Sequence, residues 1–251
     1  MTISVLQKIP TLLKDPYPHI IIEDALPEDV YNRLEKEWPE QQLLNTEPFD
    51  NGICYRLKSD QMLKPDLVSD AWREFAEYHT SAKFYNEVKC VFGDLMPTVE
   101  NISESISARG WDKGEDKIGT DCQTVMHKPV NFSSRTPHID NPREIYAGLL
   151  YMPYADDDSK GGDFQLHRQA SIVTEVNKNG GRAVGSKAGE IVKTVPYKRN
   201  TFVMFLNNST NTIHSVSARA NAIKHRRSVN IIAEFNKVAK RSMFSVKEIR
   251  K

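Results

Sequence analysis

A series of short strand-like segments fills the second half of this chain and limits the possible folds more than any other feature. They cover about residues 122–130, 138–140, 145–152, 163–167, 191–196, 201–206, 214–216 and 226–235. Gly, Pro, Asn and Asp separate them, and these residues favour turns. Eight short strands are typical of a jelly roll, in which two antiparallel sheets pack together. We therefore predict a double-stranded β-helix (jelly roll) over residues 121–235.

The first 120 residues show mainly the periodicity of helices. A β-branched run at residues 17–24 predicts one strand. Four apolar side chains then recur at four-residue spacing, which predicts a helix with one buried face: Leu26, Val30, Leu34 and Trp38. The pattern between residues 66 and 93 predicts two more helices. We expect a mainly β protein with helical additions (α+β).

The chain length fits a single domain over residues 1–251. In this organisation residues 1–120 form supporting helices, strands and a loop. The jelly-roll core occupies residues 121–235. Residues 236–251 form a basic tail that we expect to be solvated, and we assign no function to it.

Composition narrows the functional class. The 34 Lys and Arg nearly balance the 33 Asp and Glu, giving a formal net charge of +1, so we expect no nucleic-acid partner. Cys54, Cys90 and Cys122 are widely spaced and form no C-x-x-C pair, which predicts reduced thiols. The N-terminus lacks a signal-peptide pattern, and no segment approaches the ~20 apolar residues of a membrane span. We expect a soluble cytoplasmic protein without membrane contact.

The segment Pro-His-Ile-Asp at residues 137–140 is the first candidate metal site. Side chains two apart on a strand project from the same face, so His138 and Asp140 can bind one metal ion. This triplet alone is weak evidence, and we choose His214 as the third ligand. Two histidines and one carboxylate on one face of a metal leave the other positions open. That arrangement is typical of non-haem Fe(II) oxygenases.

The last predicted strand supplies a second candidate site. Its alternation places Arg226, Ser228 and Asn230 on one face. A buried arginine can hold a carboxylate by two parallel charge-assisted hydrogen bonds, and a serine two residues later can add another. The pattern fits a dicarboxylate co-substrate. A register shift of one residue would give the role of Arg226 to Arg227.

Four motifs of the chain, taken in order, resemble those of the 2-oxoglutarate/Fe(II)-dependent dioxygenases, and most closely their prolyl-hydroxylase-like branch. The motifs are His138-Ile139-Asp140-Asn141-Pro142, Gly161-Gly162-Asp163-Phe164-Gln165-Leu166, His214 and Arg226-x-Ser228. They span roughly residues 121–235, and their order and spacing carry the resemblance because each alone has low specificity.

The resemblance implies a set of site residues and co-substrates. The residues that it implies for Fe(II) binding are His138, Asp140 and His214. Arg226 and Ser228 would bind the far carboxylate of 2-oxoglutarate. Tyr151 matches a tyrosine that the family often places on the strand after the metal triplet, and it is a third candidate for co-substrate binding. Fe(II) and Arg226 together balance the charges of the aspartate and 2-oxoglutarate, so the assembly can be buried without an unpaired charge.

The implied activity is hydroxylation of a substrate C–H bond, with O2 as the second co-substrate and with succinate and CO2 as products. Related halogenases lack the metal-binding carboxylate, so Asp140 favours hydroxylation. The nearest branch suggests a proline or another protein side chain as substrate, and a free amino acid or other small metabolite fits equally well. The nucleic-acid demethylases carry two distal arginines, and Ala220 stands where the first would fall.

Two other functions stay open from the sequence. One is a non-catalytic jelly-roll protein that binds a metal or ligand through a vestigial site, which predicts binding without succinate production. The other is a zinc-dependent hydrolase, in which Arg226-x-Ser228 would have no role.

Other polar residues near the motifs have simpler interpretations. His127 and His167 are possible but unneeded metal ligands, and we expect His225 at the surface. Arg135 and Arg143 flank the metal triplet, where they either contact a substrate anion or are solvated charges.

Two long polar segments, residues 100–120 and 168–190, show neither helical nor strand periodicity throughout. Long loops in a small domain often carry function. Each segment is either a lid over the site or an ordinary surface insertion.

Overall fold

Helices dominate the first part of the chain and strands the second in the computed structural model, which describes residues 3–50, 52–108, 117–170, 188–236 and 241–245. The strands form two sheets, so the predicted mixed α+β class is confirmed. Within the described residues no helix is long and apolar enough to cross a membrane.

Ten strands lie in the described residues: β1 His19–Ile22, β2 Cys54–Leu57, β3 Ile106–Ala108, β4 Ile118–His127, β5 Glu144–Tyr151, β6 Phe164–Gln169, β7 Ala188–Val195, β8 Phe202–Leu206, β9 His214–Val216 and β10 Arg226–Phe235. Seven of the eight strands predicted in the second half are present, with ends shifted by a few residues. The other, at residues 138–140, forms only an isolated antiparallel bridge between His138 and His214. The chain turns directly afterwards, where the Glu144 N–H donates to the Asn141 carbonyl at 2.7 Å.

Six α-helices lie in the same residues: α1 Glu28–Lys36, α2 Glu40–Leu44, α3 Ser59–Met62, α4 Asp70–His79, α5 Ala82–Phe92 and α6 Ile102–Ser105. The three longest are those that the periodicity predicts. The hydroxyls of Ser69 and Ser81 accept hydrogen bonds from backbone N–H groups in the first turns of α4 and α5 and so cap these helices. Gly93 ends α5 with a φ of +56°, a conformation that favours glycine.

Two segments without clear periodicity contain more structure than predicted. Residues 41–65, which show no periodic pattern in the sequence, contain most of α2 as well as β2 and α3. Residues 100–120, expected to be a loop, contain α6 and β3, which pairs in parallel with β4. Such short elements have little stability alone, and they form where a neighbouring strand or helix supplies contacts. Residues 109–116 and 171–187 lie outside the described residues, so the two lid interpretations stay predictions.

The larger sheet has two different faces. Its strand order is β1-β8-β5-β10-β4-β2, with β3 beside β4. On one face Val229 and Ile231 of β10 are fully buried in an apolar cluster that also contains Trp72 of α4 and Phe84 of α5. The helices therefore cover this face and form the main core.

The other face of the larger sheet packs against the smaller sheet, which has the order β7-β6-β9. Tyr151 and Phe205 from the larger sheet form an apolar cluster with Phe164 and Leu166 from the smaller sheet. The space between the two sheets contains the candidate site.

The described part of the basic tail is not fully solvated, contrary to expectation. The Met243 N–H donates to the Pro142 carbonyl at 2.8 Å. Phe244 packs against Ile139 and Ile213, which are buried neighbours of the candidate metal ligands. The apolar side chain of Phe244 explains this docking, because its burial against Ile139 and Ile213 is favourable.

Candidate functional site

The three candidate metal ligands lie together although up to 76 residues separate them in the sequence. His138 and His214 belong to two segments that pair by reciprocal backbone hydrogen bonds of 3.0 and 2.9 Å. Asp140 follows on the same side, with its two carboxylate oxygens 3.6 Å from His138 Nε2 and 3.5 Å from His214 Nε2. One donor atom from each residue lies within 4.8 Å of the others, so the three can reach one metal ion.

Backbone hydrogen bonds fix the orientation of both imidazole rings. His138 Nδ1 lies 2.7 Å from the Thr136 carbonyl, and His214 Nδ1 lies 3.0 Å from the Thr212 carbonyl. A carbonyl only accepts, so each Nδ1 carries the proton and donates it. Each Nε2 therefore keeps its lone pair on the side of Asp140, as a metal ligand requires.

The electrostatics of the cluster favour a divalent cation. Burial lowers the pKa of His214 to about 3, although the Asp140 carboxylate opposes this shift. Burial raises the pKa of Asp140, but the neighbouring His214, His138 and Arg135 outweigh this and hold it well below its ordinary value. Two imidazole nitrogens and one carboxylate oxygen form a donor set that fits Fe(II).

A cavity of about 290 Å³ joins the metal cluster to the polar face of β10. Arg226 and Ser228 line it, as do His138, Asp140 and His214. The structure thus places the two sites predicted from distant motifs around one cavity.

Arg226 is 2% exposed and has an unused hydrogen-bonding group. Its Nε donates to the Gly162 carbonyl at 2.9 Å, whereas its buried Nη2 has no partner among the described residues. The guanidinium carbon lies 5.1 Å from the Tyr151 ring centroid and 4.9 Å from that of Tyr197. A buried cation with a free donor is suited to bind a carboxylate.

The paired glycines allow this packing. Gly161 and Gly162 both have a φ of +79°, and a Cβ on Gly161 would lie 2.0 Å from the Ala218 carbonyl oxygen. A Cβ on Gly162 would lie 3.4 Å from Arg226 Nε. A side chain at Gly161 would push the loop before β6 away from Ala218, and the left-handed φ of both residues favours glycine.

The two other candidates for co-substrate binding lie beside Arg226. Ser228 lines the cavity, and its hydroxyl donates to Asn230 Oδ1 at 3.3 Å. Tyr151 is opposite Ser228 in the pairing of β5 with β10. Its hydroxyl is buried without a partner in the described part of the chain, but the residue packs behind Arg226 and does not line the cavity wall. Burial raises the pKa of Tyr151, so the phenol stays protonated and can donate.

Arg227 faces the opposite side of β10, as alternation predicts. Its Nε donates to the Met152 carbonyl at 2.8 Å, and its guanidinium lies 3.8 Å from the centroid of the Tyr154 ring. It is 4% exposed, and these contacts account for its burial. Of these two neighbouring arginines, Arg226 lines the cavity and Arg227 does not.

His127 is a cavity residue whose importance the sequence did not show. It is 8% exposed, lies directly opposite Arg226 in the pairing of β4 with β10, and has a buried Nδ1 without a partner in the described structure. Burial, then the positive charges of Arg226 and Arg135, lower the pKa of His127 to about 3. Strand alternation could have placed His127 on the inward face of β4, but this prediction requires the correct ends of β4, which the sequence did not give.

Of the remaining polar candidates, one lines the cavity and three do not. Arg135 lines the cavity, where Nη1 donates to Asp50 at 3.1 Å and Nη2 lies 3.3 Å from His138 Nε2. Arg143 does not line it. His167 is buried with Nε2 2.7 Å from the Ser215 hydroxyl, and His225 is half-buried; neither belongs to the metal cluster.

Comparison with known proteins identifies the fold. No protein-family model matches the sequence, and no curated protein has significant similarity to it. A prolyl 4-hydroxylase from Pseudomonas putida superposes with a TM-score of 0.52 at 14% identity, over 86% of this chain and 91% of that one. One from Phytophthora capsici gives 0.53 at 13% identity, over 88% of this chain but only 60% of that one. The chain therefore shares the fold of these prolyl 4-hydroxylases, and within this fold it contains a cluster of two histidines and one aspartate that could hold a metal ion.

Proposed function

We propose that this protein is a Fe(II)- and 2-oxoglutarate-dependent oxygenase that hydroxylates a C–H bond, and that β4–β10 with the His138 bridge form a double-stranded β-helix. One observation carries the proposal: a single cavity contains a buried His-Asp-His cluster and a buried arginine with an unpaired donor. A zinc hydrolase would not need the arginine. The fold shared with prolyl 4-hydroxylases supports the same conclusion.

In the proposed enzyme His138, Asp140 and His214 hold Fe(II) by two imidazole nitrogens and one carboxylate oxygen. Bound iron supplies the activation of O2 that decarboxylates 2-oxoglutarate oxidatively and oxidises the substrate C–H bond. Both histidines already direct Nε2 towards the carboxylate, so neither ring must rotate before it binds the metal.

In this proposal Arg226 and Ser228 contact the far carboxylate of 2-oxoglutarate, and Tyr151 supports the Arg226 guanidinium from behind. The carboxylate gives an acceptor to Arg226 Nη2, which lacks a partner among the described residues. Each buried donor that gains a partner in this way avoids a penalty of about 1–3 kcal/mol. His127 Nδ1 has the same need, and we include it in the co-substrate pocket.

Size and charge restrict the substrate. The cavity of about 290 Å³ is at the small end of ligand sites, and 2-oxoglutarate must share it with the reacting group. The charges of the side chains that line the cavity cancel, because three are positive and three are negative: Arg56, Arg135, Arg226, Asp50, Asp140 and Glu144. The charges of Fe(II) and 2-oxoglutarate also cancel. A substrate group without net charge would therefore leave no uncompensated charge in the cavity. We propose a proline or another neutral protein side chain, or a zwitterionic free amino acid.

The decisive experiment is anaerobic reconstitution with Fe(II) and then 2-oxoglutarate, monitored by visible absorption. We expect the weak charge-transfer band of a chelated keto acid, followed on admission of O2 by its decay and by formation of succinate. Absence of the band at saturating iron and keto acid would contradict the proposal. A band without succinate, even with substrates present, would indicate a non-catalytic binding protein.

A substrate screen follows from the charge argument. Succinate formation is measured with a panel of free amino acids and with short peptides that contain proline. Neutral and zwitterionic compounds should stimulate turnover more than acidic or basic compounds of the same size. Preference for a strongly charged compound would refute the proposed charge balance.

A further inference from the structure

The two segments that carry the metal ligands pair through backbone hydrogen bonds at His138 and, before it, at Arg135, whose carbonyl accepts from the Val216 N–H at 2.9 Å. The backbones of His138 and His214 exchange two hydrogen bonds, which fix the histidines relative to each other. Asp140 lies two residues beyond this bridge, where the chain turns towards β5. The bridge alone therefore does not set the position of the carboxylate.

Asn207, which follows the end of β8, forms a second connection. Its side chain is fully buried, and Nδ2 donates to the Asn141 carbonyl at 2.8 Å, directly after Asp140. Its Oδ1 lies 2.8 Å from the Thr212 hydroxyl, whose single proton is shared between this oxygen and the Ser209 carbonyl, also at 2.8 Å. The Asn207 N–H also donates to the Ile145 carbonyl at the start of β5, at 3.0 Å.

Thr212 continues the connection to the second histidine. It is fully buried, and its backbone carbonyl accepts the hydrogen bond from His214 Nδ1 at 3.0 Å. The amide of Asn207 thus links the residue after Asp140 to the residue that orients His214. A metal site tolerates only small errors in ligand position. Hydrogen bonds that hold the neighbours of the ligands therefore affect the affinity for the metal.

We propose that Asn207 is a positioning residue that sets the distance between Asp140 and His214 without contacting the metal, the co-substrate or the substrate. The inference depends on the metal site of the proposed function. An asparagine suits this task because its amide donates on one side and accepts on the other. Without it, the Asn141 carbonyl keeps the Glu144 N–H but loses a second donor, and the Thr212 hydroxyl loses one of its two acceptors, so the turn that carries Asp140 is held less firmly.

The test compares Asn207→Ala with a matched control. Asn200 is also a buried asparagine, and its amide makes two hydrogen bonds to the Leu26 backbone, away from the metal cluster. Asn200 has a φ of +55°, so Asn200→Gly removes the amide without strain. Thr212→Val removes the hydroxyl partner of Asn207, and Thr212→Ser retains it.

The measurement is Co(II) affinity and the visible Co(II) spectrum, recorded below the melting temperature of every variant. Co(II) reports coordination geometry and needs no turnover. We expect Asn207→Ala to weaken Co(II) binding about tenfold and to alter the spectrum, and Thr212→Val to act in the same direction. Asn200→Gly and Thr212→Ser should bind and absorb like the wild type, whatever their melting temperatures.

The outcomes are distinguishable. If the wild type binds Co(II) and Asn207→Ala has the affinity and spectrum of Asn200→Gly, Asn207 has only a structural role and the inference is wrong, while the proposed function stands. If the wild type itself binds no Co(II) or Fe(II), both the inference and the proposed function fail.

Discussion

The two faces of β10 show how one strand serves stability on one side and ligand binding on the other. The side chains of Val229 and Ile231 are fully buried against the helices, and they contain only apolar atoms. Arg226 is almost as deeply buried on the other face, yet one of its donors has no partner in the described structure. Burial of apolar surface needs no ligand, whereas an unpaired buried donor gains from one. The predictions below separate the two faces by experiment.

The largest effect is expected from loss of a metal ligand. His138→Ala or His214→Ala removes one of three donors, so Fe(II) binding at stoichiometric metal should disappear. Titration followed by iron analysis of the separated protein measures it. His167→Ala is a control, because His167 is buried outside the metal cluster. Full affinity in either ligand variant would remove that residue from the ligand set.

Truncation on the apolar face should affect stability instead. Ile231→Ala leaves a cavity among the helices and should lower the free energy of unfolding by about 2–5 kcal/mol. Urea denaturation measures it. The fraction that remains folded should bind Fe(II) and 2-oxoglutarate as the wild type does. A changed 2-oxoglutarate affinity in folded protein would show that the two faces are not independent.

Removal of the buried Arg226 should lower the affinity for 2-oxoglutarate more than it lowers the stability of the fold. Arg226→Ala should weaken 2-oxoglutarate binding by about 1.5–3 kcal/mol, which is the range for hydrogen bonds to charged groups. Arg226→Lys keeps the charge but not the bidentate geometry, so its affinity should be intermediate. Calorimetric titration of the anaerobic metal complex measures both. Wild-type affinity in Arg226→Ala would indicate a different co-substrate or a different anchor.

The smallest expected effect is that of His127→Leu. The substitution removes a buried imidazole nitrogen that lacks a partner, so the free energy of unfolding should stay the same or rise. If His127 contacts 2-oxoglutarate, the affinity should fall by about 0.5–1.5 kcal/mol, the value of one hydrogen bond. The same titration and denaturation measurements apply. Unchanged 2-oxoglutarate affinity would place His127 outside the co-substrate pocket.

Local patterns predicted most of the regular structure and the composition of the site. The four-residue spacing of Leu26, Val30 and Leu34 predicted α1, and the alternation of β10 correctly placed Arg226 and Arg227 on opposite faces. These signals are local because burial of one face imposes the period of the element on neighbouring residues. The short elements α3, α6 and β3 escaped prediction because distant partners stabilise them.

The sequence by itself determined which residues can form a two-histidine, one-carboxylate cluster and an arginine site, since spacing along a strand fixes which side chains share a face. Only the tertiary structure decided that both sites share one cavity, that His127 belongs to its wall and that Asn207 connects Asp140 to His214. Asn207 is 66 residues from Asn141, at 2.8 Å in space. The physical reason is that strand pairing brings distant segments together, and no local period records which strands pair.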